Sequence, residues 1–299
     1  MKQPAQQVLA GIGFAVLAVA CFATLDTITK HISASLPLLV ALWFRYTFQA
    51  VTTTAIAWKG RGRQLLMMRH PRFQIARGML LFGSSLLAFF SLKYMPVGEF
   101  TAIALMAPLV ITLLAAWKLQ EHVSPQRWAL VLGGFAGTLV IIRPDTQHFD
   151  WHLLLPLLLV LTNSSFQVLT SKLASEQEDP MTTHVLTGWT GTVLASCILP
   201  FVWETPQDAV VWLQLLIMGL MATLGHFFLI MAFGRAPAAT LTPYMYAQIG
   251  FAVLGGWVVF GHIPDQWTLV GMGMVALCGA LGAWLTLRES RVKVELPES

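Results

Sequence analysis

Charge is what this chain has least of. Asp, Glu, Lys and Arg make up 11% of its 299 residues, where soluble domains carry about 25%. That shortage excludes an ordinary water-soluble domain. Cysteine is nearly absent as well, with only Cys21, Cys197 and Cys278. All three sit inside apolar runs, which fits small core residues rather than a disulfide framework or a thiolate metal site. The sequence has no G-x-x-x-x-G-K-[ST], no H-E-x-x-H and no G-x-S-x-G. The residues for ATP hydrolysis and for two common hydrolase chemistries are therefore missing. The expectation is a protein that is not an enzyme and holds no metal and no cofactor. The apolar/polar alternation of a membrane β-barrel is also lacking.

What fills the chain is hydrocarbon. Apolar residues make up 56%, and mean hydropathy is +0.69. The apolar runs recur near the ~20 residues that cross ~30 Å of bilayer. Polar breaks divide them into ten expected spans, 9–30, 37–58, 73–94, 97–118, 127–142, 151–174, 182–203, 209–235, 238–261 and 267–288. Proline and glycine punctuate the gaps, as at Pro37, Gly60, Pro96, Pro125, Pro144, Pro180, Pro206, Pro237 and Pro264. The first run, after the weakly basic Lys2, reads as a retained helix rather than a signal peptide. With the N-terminus placed inside, fourteen Lys and Arg, Arg77 among them, fall in inner segments and three at outer ends. That bias puts both termini on the inner side. The net charge of +4 is then an orientation signal, not a nucleic-acid footprint.

The two halves echo each other. "YMPVGEFTAIALMAPLV" (94–110) lies on "RAPAATLTPYMYAQIGF" (235–251) with Pro96 on Pro237, an offset of 141 (237 − 96). The same offset puts Gly78 on Gly219 and Glu121 on His262. Five spans per half is an odd number, so the second half runs inverted relative to the first. The expected fold is an all-α polytopic membrane protein built from two inverted five-helix repeats, 9–142 and 151–288, with a tail at 289–299. Inverted repeats place a substrate near the midplane between the halves.

These features resemble a known family. Phe22 to Lys30 closing span one, "LWFRYTF" (42–48), "MPVGEFTAIALMAPLV" (95–110), "LQEHVSPQRW" (119–128), "RAPAATLTP" (235–243) and "GHIPDQW" (261–267) are similar to the EamA-type permeases of the drug/metabolite transporter superfamily. Within it they look most like the YddG-type bacterial amino-acid exporters. The resemblance covers residues 9–288. It implies a multi-pass protein of the bacterial inner membrane, with cytoplasmic termini, that exports amino acids or similar small metabolites through a central cavity. A membrane-embedded enzyme, a drug permease and a passive channel are the alternatives.

Charged groups inside apolar runs are the first site candidates. Asp26 and Lys30 lie four apart, on one helix face, with Lys30 nearer the interface. Arg45 lies eight residues into span two, about 12 Å along the helix. A charge at such depth costs about 2.5–3.5 kcal/mol on insertion scales, so Arg45 is expected to be held by Asp26, Glu99 or both. Such a pair serves as a gate, a proton relay or structural glue. His226, mid-span in "LGHFFLIM", is the candidate for a coupling proton or a substrate contact, because histidine changes charge near neutral pH. A cavity for an amphoteric solute needs hydrogen-bonding groups among apolar walls. Candidates are Trp43, Phe82, Ser85, Phe89 and Thr101 in the first half, and Asn163, Gln167, Trp189, Tyr244, Tyr246 and Gln248 in the second. Pro108 and Pro243 are expected to interrupt their helices. Gly133, Gly137, Gly271, Gly273, Gly279 and Gly282 read as close-packing positions of the scaffold.

Overall fold

The computed structural model describes residues 5–32, 35–62, 67–94, 103–104, 106–142, 154–261 and 265–295. These fold into α1 (Ala5–Ile32), α2 (Leu38–Arg61), α3 (Pro71–Tyr94), α4 (Ala107–Lys118), α5 (Pro125–Ile142), α6 (Leu154–Ser175), α7 (Pro180–Ile198), α8 (Ala209–Phe233), α9 (Ala238–Met245), α10 (Ala247–Phe260) and α11 (Gln266–Glu295). A 3-10 turn at Leu199–Phe201 prolongs α7. The helices fall on the ten expected spans, with α9 and α10 sharing the ninth. The last helix runs to Glu295, past the expected end at residue 288.

Among the described residues, five spans are long and apolar enough to cross a bilayer by length and composition: Gln6–Ile32, Leu154–Ser175, Pro180–Phe201, Ala209–Phe233 and Ala238–Phe260. Helices α2 and α3 are less apolar because they carry Arg45, Gln49, Gln74 and Arg77. Gln49, Gln74 and Arg77 are buried, whereas Ile56, Leu113, Val193 and Val258 are exposed. An apolar perimeter around a core that holds polar side chains suits lipid as the surrounding solvent.

Packing follows a pattern that survives exchanging the halves. Helix α1 packs on α8, and its counterpart α6 packs on α3. The contact of α2 with α8 is matched by that of α7 with α3, and α1 on α9 and α10 by α6 on α4. The pairs α2–α7 and α5–α11 are their own counterparts. Helices α2 and α7 are antiparallel: Trp43 meets Ser196, Tyr46 meets Gly191, and Ala50 meets Gly188. Helices α5 and α11 are antiparallel too. A Cβ on Gly271 would stand 2.5 Å from the Gly137 carbonyl, and one on Gly133 would stand 2.8 Å from Cys278 Sγ. These glycines let the backbones touch. Gly273 and Gly279, expected to do the same, have nothing within 4 Å of such a Cβ.

Both prolines sit by a break in their spans. Pro108 lies in the first turn of α4, where a missing N–H is harmless, just after a turn at Met106 that follows helical residues 103–104. Pro243 lies inside α9, and the ninth span breaks at Tyr246. Without an N–H, Pro243 leaves the Ala239 carbonyl free, and Thr242 Oγ1 donates to that carbonyl at 3.2 Å. Thr242 also bonds Thr112 of α4 at 2.8 Å, joining α9 to the first half.

Glu121, from the loop after α4, caps the start of α9. Its two carboxylate oxygens accept from the Ala238 and Ala239 amides at 3.2 and 2.9 Å. A helix N-terminus presents amides that lack partners of their own. Burial pushes this carboxyl above its ordinary range, against the pull of the Ala239 and Ala238 amides. Glu121→Ala is expected to destabilise the folded chain by about 1–2 kcal/mol, with Glu121→Gln losing less. Thermal unfolding in detergent measures both; equal stability of Glu121→Ala and wild type would rule the cap out.

Candidate transport site

Asp26 and Arg45 stand on α1 and α2, and each is steadied from another helix. Gln248 Nε2 of α10 donates to Asp26 Oδ2 at 3.1 Å. Arg45 Nη2 donates to Ser85 Oγ of α3 at 2.8 Å, and the Tyr46 hydroxyl bonds the same Ser85 oxygen at 3.1 Å. Asp26 remains exposed, and Arg45 and Gln248 are half-buried. A carboxylate and a guanidinium, each held by neutral partners, thus stand on the consecutive helices α1 and α2. Glu99, the other expected partner of Arg45, lies outside the described residues, as does Thr101.

His226 of α8 is buried between aromatic rings. Its ring lies 4.9 Å from that of Phe22 on α1 and 5.9 Å, edge-on, from that of Phe166 on α6. Its Nδ1 has no hydrogen-bond partner. Gln167, next to Phe166, is half-buried with an unpartnered Oε1, and Asn163 lies one turn away on α6, half-buried. Phe82 is buried against the Tyr46 ring at 6.0 Å. Lys30 holds its ammonium over the Phe260 ring at 4.8 Å, at the end of α1.

A second cluster escaped the sequence reading. Arg77, assigned to an inner flank by the charge count, is 0% exposed inside α3. Its Nε donates to Thr170 Oγ1 of α6 at 2.7 Å, and its Nη1 donates to the Thr183 carbonyl at 3.4 Å and to Thr187 Oγ1, both of α7. Its guanidinium lies 4.6 Å from the centre of the Phe166 ring. Gln74 Nε2, one turn earlier, donates to Thr183 Oγ1 at 2.7 Å. His184, also buried, sits beside Gln49 of α2 at 3.2 Å.

The comparisons fit this architecture. The profile of the EamA-like transporter family matches residues 9–143 and again 151–286. The chain belongs to the EamA-like transporter family. An S-adenosylmethionine uptake transporter of Rickettsia felis is 26% identical over 274 residues, covering 91% of each chain. A riboflavin transporter of Vibrio cholerae is 29% identical over 66% of each. A pseudopaline exporter of Pseudomonas aeruginosa is 24% identical over 91% of this chain and 95% of that one. A chain of known crystal structure superposes with a TM-score of 0.78 at 20% identity, covering 95% of this chain and 99% of the other. That likeness bears on the fold alone. The expected resemblance therefore holds for the EamA family within its superfamily, while these relatives are named for other cargo than amino acids. The chain is a multi-pass membrane permease of the kind that carries small metabolites.

Several residues expected to line an EamA cavity do other work. Trp43 donates to Ser196 at 2.9 Å and packs edge-on against Phe44 and Trp203. Trp189 is 43% exposed and donates to Thr54 at 3.0 Å. Both tie α2 to α7, as suits an indole with one polar handle. Tyr244 and Tyr246 are buried against α11 and α5, where Gly282 and Gly134 leave room for their rings. Tyr244 also borders an apolar groove between α10 and α11. Phe89 lies on α3, and its side chain is outside the described set. Among the described residues, no group of three His, Cys, Asp or Glu side chains is placed to hold a metal. A groove of about 370 Å³ between α10 and α11 is walled by Val16, Leu254, Met272 and Val275. Such walls suit an acyl chain better than a charged solute.

Proposed function

We propose that the chain is a secondary transporter for amino acids or metabolites with an amino-acid-like zwitterionic head, working by alternating access of two inverted halves, 9–142 and 151–288. The observation that carries this reading is the accessible pair Asp26 and Arg45: one carboxylate for an ammonium and one guanidinium for a carboxylate. The contact pattern that survives exchange of the halves, and the antiparallel crossing of α2 with α7, support the inversion. Two family matches, one per half, support the division. The cargo named for the relatives, S-adenosylmethionine among them, fits a charged metabolite. We place the chain in the bacterial inner membrane with both termini and the basic loops in the cytoplasm. Export is then the direction taken when the solute is concentrated inside.

Uptake and counterflow in liposomes test this with the purified chain. Labelled amino acids, S-adenosylmethionine and riboflavin are offered with and without a pH gradient. Saturable flux of a zwitterion, accelerated by the same solute on the far side, is the expected result. Non-saturating flux indifferent to solute on the far side would mean a channel and overturn the carrier reading. His226 gives the coupling test. His226→Ala is expected to keep counterflow within about threefold of wild type, because it removes neither charge of the pair, while losing any response to the pH gradient. An unchanged pH response in His226→Ala would remove this residue from coupling.

A further inference from the structure

The two halves close their equivalent corners with opposite chemistry. The offset of 141 that aligns Gly78 with Gly219 puts Arg77 on Met218 and Thr170 on Thr29. The structure keeps this correspondence in its contacts. Thr29 Oγ1 of α1 lies 3.6 Å from Met218 Sδ of α8, and Arg77 Nε of α3 lies 2.7 Å from Thr170 Oγ1 of α6. Gly219 faces Phe48 of α2, as Gly78 faces Thr190 of α7. Around Met218 the corner is apolar, with Leu25, Val40, Ala41, Leu215 and Ala222. Around Arg77 it is polar, with Gln74, Thr170, Thr183, His184 and Thr187.

The scaffold therefore does not require a cation at this position, since methionine closes the same corner in the other half. Yet Arg77 is 0% exposed, always charged, and held among the described residues by neutral oxygens only. Its Nη2 has no hydrogen-bond partner, and neither has His184 Nε2 beside it nor Gln74 Oε1 one turn before it. Nε and Nη1 are already taken, so Nη2 alone is free to donate, and the charged oxygen of a carboxylate is the strongest acceptor it could meet.

We propose that Arg77 anchors a second ligand site, at the junction of α3, α6 and α7, which takes a small carboxylate when that junction parts. The carboxylate is either a free anion or the acid group of the transported zwitterion on its way through. The inference rests on the alternating-access reading only for the route by which the ligand arrives. The Asp26 and Arg45 pair plays no part in it.

The test uses the full chain, purified in detergent at fixed ionic strength. Thermal unfolding is followed as sodium acetate replaces sodium chloride, or as glycine is added at constant sodium chloride. The wild-type midpoint is expected to rise saturably with acetate if a bare carboxylate suffices, and with glycine alone if the zwitterion is needed. Arg77→Met copies the other half, so it should fold and melt no lower than wild type in chloride. Its apparent affinity for the carboxylate should fall roughly tenfold or more. The part of the response lost in Arg77→Met is the part that belongs to this site, since glycine also fits the Asp26 and Arg45 pair. A second measurement needs no variant: phenylglyoxal labelling of Arg77, read by mass spectrometry, should be slowed by the same carboxylate and not by chloride. A wild-type chain indifferent to both ligands, labelling they do not slow, or an Arg77→Met chain that responds like wild type would overturn the proposal. Loss of stability in Arg77→Met with no carboxylate effect in wild type would leave Arg77 as a clasp between helices.

Discussion

Asp26→Asn is expected to reduce saturable counterflow of a zwitterionic substrate by roughly 10–100-fold. The figure follows from one lost charge-assisted hydrogen bond, about 1.5–3 kcal/mol. Stability should change little. Asp26 is exposed by its surface area, and an asparagine oxygen can still accept from Gln248, so no contact of the fold is lost. The loss should therefore appear in transport and not in thermal unfolding. Arg45→Lys should be intermediate, since lysine keeps the charge but loses the planar fork that reaches Ser85 and a carboxylate together. Substrates lacking an ammonium should be the least sensitive to Asp26→Asn. Wild-type counterflow in Asp26→Asn would detach the acid from the substrate, and the zwitterion reading would go with it.

Parts of this arrangement were legible in the sequence for a physical reason. A charge within an apolar run is too costly to be incidental, so Asp26 and Arg45 announced themselves. Their partners Gln248 and Ser85 stood among the cavity candidates, but the pairing was not legible, because Gln248 is 222 positions from Asp26. Arg77 was counted with the inner basic residues because it follows Arg69 and Arg72 closely. It falls within the expected span 73–94, and α3 begins at Pro71, but its complete burial was not legible. A usable signal existed, since Gly78 aligned with Gly219 sets Arg77 on Met218, an interior position. Span number and order came through because bilayer thickness dictates length. The contacts of Tyr244 and Tyr246 did not, because the glycines that receive their rings, Gly282 and Gly134, lie far away along the chain. Trp43 and Trp189 looked deep in their spans, but depth along a helix says nothing about direction around it.

Gly188→Val carries the largest expected loss of stability. Helices α2 and α7 cross where the halves meet, and Gly188 is the contact point. A Cβ there would lie 2.8 Å from the Ala50 nitrogen and 2.9 Å from its Cα. Those are backbone atoms, so no rotamer change relieves the clash and the helices must separate. Overpacking of this kind costs about 1–3 kcal/mol, and more when backbone must move; about 3 kcal/mol or failure to accumulate is the expected result. Gly273→Val is the control, since a Cβ there meets nothing within 4 Å. It should melt close to wild type. Separation would also shift Tyr46, whose ring packs on Gly191 one turn further along α7. Tyr46 and its neighbour Arg45 share the Ser85 oxygen, so whatever Gly188→Val protein survives should transport poorly. Equal melting of the two variants would mean that α2 and α7 do not meet as closely as described, and the support this crossing lends to two opposed halves would be lost.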